Sequence, residues 1–492
     1  MGAGIMKKPL LCVLNILILT TIVQVVCPKF IAVSSARDLT DVLGEGLDIT
    51  FLFRGSALGN SVAPAFTGAM AQAITQEFPL ASVAPAFTYR YNPALSVFER
   101  SSSVPGPLFS ERALTLGKGQ LNFGVGYSFL DFSQVNGTDL HNIRNPGLTA
   151  ALSFQDAVPL RQLPDTEESV FAAPFTGIIT TFKLDLQAHV VVPTFRYGLT
   201  DRWDVGLSIP LINTFLRFRT VTTPVVDAPN LRFTYVVNAQ GVAIRPATRE
   251  IAGNFVDLAG NPITSLAQLQ LIKAQNSSPR TVSRKAGSAT GVGDIVLRTK
   301  YHLWRTDGGG AALGLNLHLP SGEDRNFQGA NTAYVSPFLY LSQIIAERFE
   351  PHLNLGVNFK TDDVKRSSFQ YAVGASVLVW QQLGFAIDLI GRSEFNKVQV
   401  RTPPEAVTPS GFLNRPVNTC TPAQPCTLDS RGIVLFPAFP IKIQRNDIIN
   451  FTFGLRYALG TTGSVFFGGV VPLNNDGFRA DFIPSGGVEY SF

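Results

Sequence analysis

A chain of 492 residues with a formal net charge of +5 has the length for two or three soluble domains, or for one large barrel with long loops. Only 15% of its residues are charged against 45% hydrophobic, so it lacks the charge to coat a large water-exposed surface, and 43 glycines and 32 prolines punctuate it. Its basic residues form no Lys/Arg run, which removes the electrostatic footprint of a nucleic-acid-binding protein.

Residues 1–36 have the build of a signal peptide. Lys7 and Lys8 precede the apolar run from Leu10 to Cys27, and "AVSSA" offers Ser34 and Ala36 as small residues around a cleavage point. The mature chain is therefore expected to start near Arg37; an uncleaved anchor helix is the alternative, because the run reaches the lower length for spanning. After Ala36 no apolar stretch approaches the roughly 20 residues of a membrane helix, so residence in a membrane must come from strands. Residues 37–118 are rich in small and aromatic side chains and too apolar for a free tail. They are expected to form an N-terminal plug or periplasmic segment ahead of a barrel over 119–492.

From Gly119 onward the hydrophobic period becomes two. "QLNFGVGYSFLDF" sets Leu121, Phe123, Val125, Tyr127 and Phe129 on one face, with Asn122, Gly124, Gly126 and Ser128 on the other. "FKLDLQAHV" sets Phe182, Leu184, Leu186 and Val190 against Lys183, Asp185, Gln187 and His189. "ALGLNLHL" opposes its leucines to Gly314, Asn316 and His318, and "FTFGLRYAL" opposes Phe451, Phe453, Leu455 and Tyr457 to Thr452, Gly454 and Arg456. Large apolar side chains facing lipid and small or polar ones facing a lumen predict an all-β fold, a transmembrane antiparallel up-and-down barrel. About 12 such strands are read: 119–131, 180–195, 202–217, 290–304, 310–320, 332–343, 347–360, 368–380, 383–396, 446–459, 463–473 and 479–492. Two further strands around "FTYRY" and "LSVFERS" would raise the count to 14.

Loop parity orients the barrel. The connectors "GLTDR", "RTDGGG", "IIAE", "QQ" and "GTTG" are short and fall at every second junction. The long segments 132–179, 218–289, 321–331, 361–367, 397–445 and 474–478 hold the alternate junctions. Short turns at one end and long loops at the other mark a bacterial outer-membrane barrel with its short end periplasmic. Trp203, Trp304 and Trp380 gather at that end with Tyr197, Tyr301, Tyr457, Tyr490 and Phe492, as a girdle at the lipid–water boundary does, although simple alternation turns Trp304 and Trp380 inward. Cys420 and Cys426, in "NTCTPAQPCTL", are spaced for a local disulfide in an outer, oxidising loop and lack the His or Cys partners of a metal site. In the segment 218–289, "NPITSLAQLQLIKAQ" offers Asn261 as N-cap and Pro262 as the first residue of a helix.

Asp185, His189, Asp294, Arg298, Lys300, His302, His318, His352, Asn354, Asp388, Arg392, Glu394 and Arg456 fall on or near the expected inner faces. They read either as a selectivity lining or as charges paired across the interior to hold the barrel closed. The sequence carries no G-x-S-x-G and no H-E-x-x-H, and its five histidines stand singly, so no catalytic, cofactor-binding or metal-binding residue is nominated and no cofactor is expected.

"YNPAL", with Asn92, Pro93 and Ala94, resembles the NPA motif of FadL-type hydrophobic-compound channels. "YGLTDRWDVGLSIPL", "GVGDIVLRTKYHLW" and "LHLPSGEDRNFQGANTAYVSPFLYLS" resemble the outer-membrane barrel family of the MetA pathway of phenol degradation. That resemblance implies a transporter of small, often aromatic, compounds; the 218–289 insertion departs from it. The closing "GGVEYSF", with Tyr490 and Phe492 on one face, resembles the signal by which such barrels reach the outer-membrane assembly machinery. The expected partners are membrane lipid, that machinery and a small hydrophobic or aromatic solute. An adhesive barrel working through its outer loops is the alternative, and a barrel lipase or protease a further one, for which no nucleophile stands at a recognisable spacing from a histidine.

Overall fold

The computed structural model describes residues 38–48, 67–75, 88–92, 97–100, 102–144, 149–152, 158–239, 243–246, 255–262, 281–396, 433–434 and 447–492, with residues 69, 258, 363 and 461 excepted. No helix among these is long and apolar enough to cross a membrane. The wall is made of strands: β1 (Leu121–Val135), β2 (Ser169–Thr200), β3 (Trp203–Ser208, continuing as Leu211–Val237) and β4 (Thr281–Val292, continuing as Ile295–Thr306). There follow β5 (Gly309–Leu319), β6 (Tyr334–Gln343), β7 (Phe349–Lys360), β8 (Ser368–Trp380), β9 (Leu383–Glu394), β10 (Ile448–Leu459), β11 (Gly463–Pro472) and β12 (Phe478–Ala480, continuing as Ile483–Ser491).

Each strand pairs antiparallel with its neighbour, and β12 returns to β1 from Ser485↔Ser128 to Ser491↔Asn122. Leu121 and Phe492 exchange both backbone hydrogen bonds at 2.8 Å, so the twelve-stranded sheet has no free edge at its seam. Tyr89–Asn92 and Val97–Arg100 do form strands, but they pair only with each other in a separate two-stranded sheet and form no part of the wall. The reading of 14 strands is thereby set aside.

Leu297, Leu313, Leu315, Val373, Ile387 and Leu455 all remain exposed on the outer face. A belt of this kind around a closed barrel is stable where hydrocarbon covers it. Below the belt, Trp304 and Trp380 also point outward. The reason is a register shift between His302 and Trp304 on β4 and another between Leu378 and Trp380 on β8, each adding one residue that flips the strand end to the outer face.

One strand departs from the expected faces. Phe182, Leu184, Leu186, Ala188 and Val190 are buried inside the barrel, while Asp185 and His189 lie on the outer face, so both leave the predicted lumen lining. His189 is in register with Phe129 and accepts or donates a 2.9 Å hydrogen bond with the Tyr127 hydroxyl on the outside; Asp185 meets Lys183, His141 and Arg217 there. The physical reason is height. A spanning strand needs about 9–11 residues, and β2 has 32, so only its end near Phe195, Tyr197 and Leu199 faces lipid. Above that the outside is wet and the inside packs against protein, which inverts the polarity rule. The same extension carries β2 and β3 into the expected loops 132–179 and 218–289, where they continue as a hairpin from Thr180↔Thr222 to Ser169↔Val237.

The connection between β5 and β6 folds inward. Asp294 accepts from the Gly322 and Ala330 N–H groups at 3.1 and 2.8 Å, Ser321 Oγ donates to the Gly293 carbonyl, and Phe327, at φ 61°, is fully buried. It lies over the inner face of β4, where a side chain at Gly291 would collide with Gln328.

Candidate functional site in the lumen

A segment crossing a lumen has no ladder to serve its backbone, so each N–H must find a side chain or water. Residues Val104 to Leu116, rich in proline at the start, meet that demand against the inner wall, where they are buried throughout. Glu111 N–H donates to Asn354 Oδ1 at 2.7 Å and Asn354 Nδ2 returns a bond to the Glu111 carbonyl; Ala113 N–H donates to Ser342 Oγ at 2.9 Å and Leu116 N–H to Asp204 Oδ2 at 2.8 Å. The side chains between them serve the wall in turn. Ser110 donates to Asp388 at 2.7 Å, Arg112 pairs with Glu350 at 2.6 Å, and the Glu111 carboxylate takes Lys300 at 3.0 Å together with Arg196. Pro105 and Leu108 seat where a side chain at Gly384 or Gly454 would strike them. This strap follows the wall from β3 to β10 in the half of the barrel nearer the short turns.

The other half holds a helix, α1 (Leu39–Asp48). Its Leu39 and Val42 rest on the inner face at Gly287, its Leu39 N–H donates to Asn326 Oδ1 at 3.0 Å, and Asp38 and Asp41 flank Arg325 of the inward loop at 2.8 and 2.9 Å. Met70, Ala71, Ala73 and Ile74 join α1 in one buried apolar cluster with Phe132, Leu184, Leu186, Leu216 and Phe218 of β1 to β3. Toward the long-loop end the inner faces of β1–β3 are therefore largely apolar, joined by Val470 of β11 and Ile483 of β12, whereas toward the short turns Asn122, Asp204, Ser485 and Glu489 of the same wall turn inward.

Across from them, β4 to β10 turn polar and aromatic side chains inward. Register aligns Arg298, Asn316 and Ser336 in one row, with Asn358 beside Ser336 where the β6–β7 ladder is interrupted at Pro337, a residue without a donor. On one side of this row His318 stacks on Tyr334 at 3.9 Å between centroids; on the other Phe338 and Tyr340 stack at 5.5 Å, their rings occupying the space that a side chain at Gly356 or Gly314 would fill. Arg298 Nε, Ser336 Oγ and Asn358 Oδ1 are buried without a hydrogen-bond partner among the described residues. Each such group costs roughly 1–3 kcal/mol if left unmade.

The remaining predicted lumen residues divide by partner. Lys300 and Asp388 hold the strap, Asp294 holds the inward loop, Arg392 faces Glu394 at 3.7 Å and Arg456 faces Glu489 at 3.4 Å. His352 Nε2 meets Asp388 Oδ1 beside Ser110. Asn92 closes the first strand of the small N-terminal hairpin, opposite Val97; Pro93, Ala94, Cys420 and Cys426 lie outside the described residues, as does the helix expected after Pro262. Asn261 donates to Asp257 at 2.9 Å, and Pro262 bridges Val256. Tyr490 and Phe492 are exposed on the outer face with ring centroids 5.7 Å apart. Sequence reasoning missed Glu111, Arg112, Asp204 and Glu350. The signal available was the adjacent opposite charges of "SERAL" inside an otherwise apolar segment.

Residues 257–387, from the outer turn after β3 into β9, match the family model described as "Putative MetA-pathway of phenol degradation". Among solved structures, an outer membrane channel from Pseudomonas putida F1 is similar at 12% identity and a TM-score of 0.34, over 77% of this chain and 98% of that one. A Pseudomonas aeruginosa FadL homologue is similar at 9% identity and a TM-score of 0.28, over 76% and 89%, and the Ralstonia pickettii toluene transporter at 12% and 0.22, over 76% and 90%. No match was found among curated proteins.

Proposed function

We propose that this chain, a closed twelve-stranded barrel carrying a match to the phenol-degradation family over 257–387, is a bacterial outer-membrane channel for small hydrophobic or aromatic compounds. One observation carries the reading: toward the long-loop end the inner faces of β1 to β3 present large apolar side chains such as Phe132, Leu186 and Phe218, whereas a water-filled porin has a polar interior. An apolar solute can bind against that stretch while the polar inner faces of β4 to β10 accommodate its substituents.

The N-terminal segment 37–118 acts as the plug, and its two parts contribute differently. Strap contacts are buried ion pairs, which no apolar solute can replace; breaking such a pair costs about 3–5 kcal/mol. The helix α1 is held by exposed pairs with Arg325, each worth under about 1 kcal/mol, and by apolar contacts that a hydrophobic solute can take over. Solute arriving from the long-loop end therefore displaces α1, passes along the apolar stretch of β1 to β3 and leaves beside the fixed strap. Asn92, Pro93 and Ala94 remain a candidate plug motif, Cys420 and Cys426 a candidate outer-loop disulfide, residues 1–36 a signal peptide, and Tyr490 with Phe492 the signal read by the assembly machinery. The test is uptake of labelled toluene, phenol and sucrose by proteoliposomes holding the purified chain. Entry of the aromatic compounds above protein-free vesicles, with sucrose excluded, is the expected result; equal passage of sucrose would make it a general pore.

A further inference from the structure

We infer that the row Arg298, Asn316, Ser336 and Asn358 is a binding site for an aromatic ring bearing an oxygen substituent, a carboxylate above all. The inference rests on the channel reading above and narrows its substrate class.

The first ground is the set of unused hydrogen-bonding groups. Ser336 and Asn358 are exposed by only 1% and 2%, and Ser336 Oγ, Asn358 Oδ1 and Arg298 Nε have no partner among the described residues. They are not scattered. Register puts them in one row across adjacent strands on the inner face, with a hydroxyl donor, an amide and a guanidinium in line.

The second is the local charge. Arg196 and Lys300 pair with Glu111, and Arg298 lies within the electrostatic reach of the same carboxylate. Glu111 is already shared by Arg196 and Lys300 through direct ion pairs, and Asp204 accepts from the strap at Leu116, so among the described residues Arg298 feels Glu111 only from beyond ion-pair distance. A guanidinium in this state suits a ligand oxygen anion.

The third is shape. The row is flanked by the His318–Tyr334 stack and the Phe338–Tyr340 stack, and flat side chains on both sides favour a flat ring over an aliphatic chain. The glycines at 314 and 356 supply the room in which Tyr340 and Phe338 lie back against the wall.

The test compares uptake of labelled benzoate, phenol and toluene by the full chain in proteoliposomes. Arg298→Gln should lower the benzoate-to-toluene uptake ratio about tenfold, the expected effect of one lost charged hydrogen bond, and Asn358→Leu should lower the phenol-to-toluene ratio. Ratios unchanged in variants that keep the folded, heat-modifiable gel mobility would overturn the site. Should either variant fail to fold, the wild-type chain decides: millimolar benzoate should compete with phenol flux, and absence of competition would overturn the site equally. Toluene uptake without discrimination among the three solutes would remove the site and leave the channel; no aromatic uptake at all would remove both.

Discussion

Arg112 and Glu350 show how much a single buried contact decides in this molecule, since both side chains are fully enclosed and meet at 2.6 Å. Arg112→Ala leaves Glu350 charged and alone, and should cost about 3–5 kcal/mol of stability. The paired change Arg112→Met with Glu350→Gln removes both charges and should cost much less. Urea titration in lipid vesicles checks the pair, and equal losses in the two variants would mean that the ion pair does not fix the strap. At this scale the sequence was legible where alternation alone governs a face, as at Leu315 and Arg456, which lie outside and inside as expected. It failed where an extra residue enters a strand. The shifts before Trp304 and Trp380 leave no compositional mark, so their outward turn had to be seen.

Among the elements, β2 tests the account of polarity along a strand. Phe195 and Gln187 share its outer face, but eight residues of height separate them, which places one in hydrocarbon and the other above it. Phe195→Arg should cost roughly 2–4 kcal/mol on refolding into vesicles, and Gln187→Arg under about 1 kcal/mol. Equal costs would restore the faces first read from "FKLDLQAHV", with Asp185 and His189 inside. Helix α1 offers a second test. The Val42 Cβ lies 3.8 Å from where a Cβ at Gly287 would stand, within the span of a disulfide. Val42→Cys with Gly287→Cys should therefore cross-link on oxidation, block toluene uptake and release it on reduction. Uptake indifferent to the cross-link would show that α1 does not gate. Loop parity and the strand ends at the short turns were readable because turns and alternation repeat at every hairpin, whereas β2 and β3 ran on into the expected long loops. The inward loop, the strap and α1 occur once each and satisfy distant partners, so no period announces them.

The molecule as a whole combines a wall that closes by itself with a segment that fills it. Closure depends on β12 meeting β1, and the residues before Leu121 supply none of the twelve strands, so removing 37–118 should leave the barrel intact. Arg196, Lys300 and Glu350 would lose their strap partners but gain water, which tolerates single charges far better than a sealed interior does. The strand count and outer belt were legible in the sequence because both follow from repeated local patterns. The apolar inner surface at the long-loop end of β1 to β3 was not, because it depends on which strands rise beyond the membrane. The most direct test is single-channel conductance in planar bilayers of the full chain beside the chain lacking 37–118, each confirmed folded by its heat-modifiable mobility. A nearly closed full-length chain and a folded, highly conducting deletion are the predicted results; a deletion that folds and conducts no more than the full chain would contradict the account.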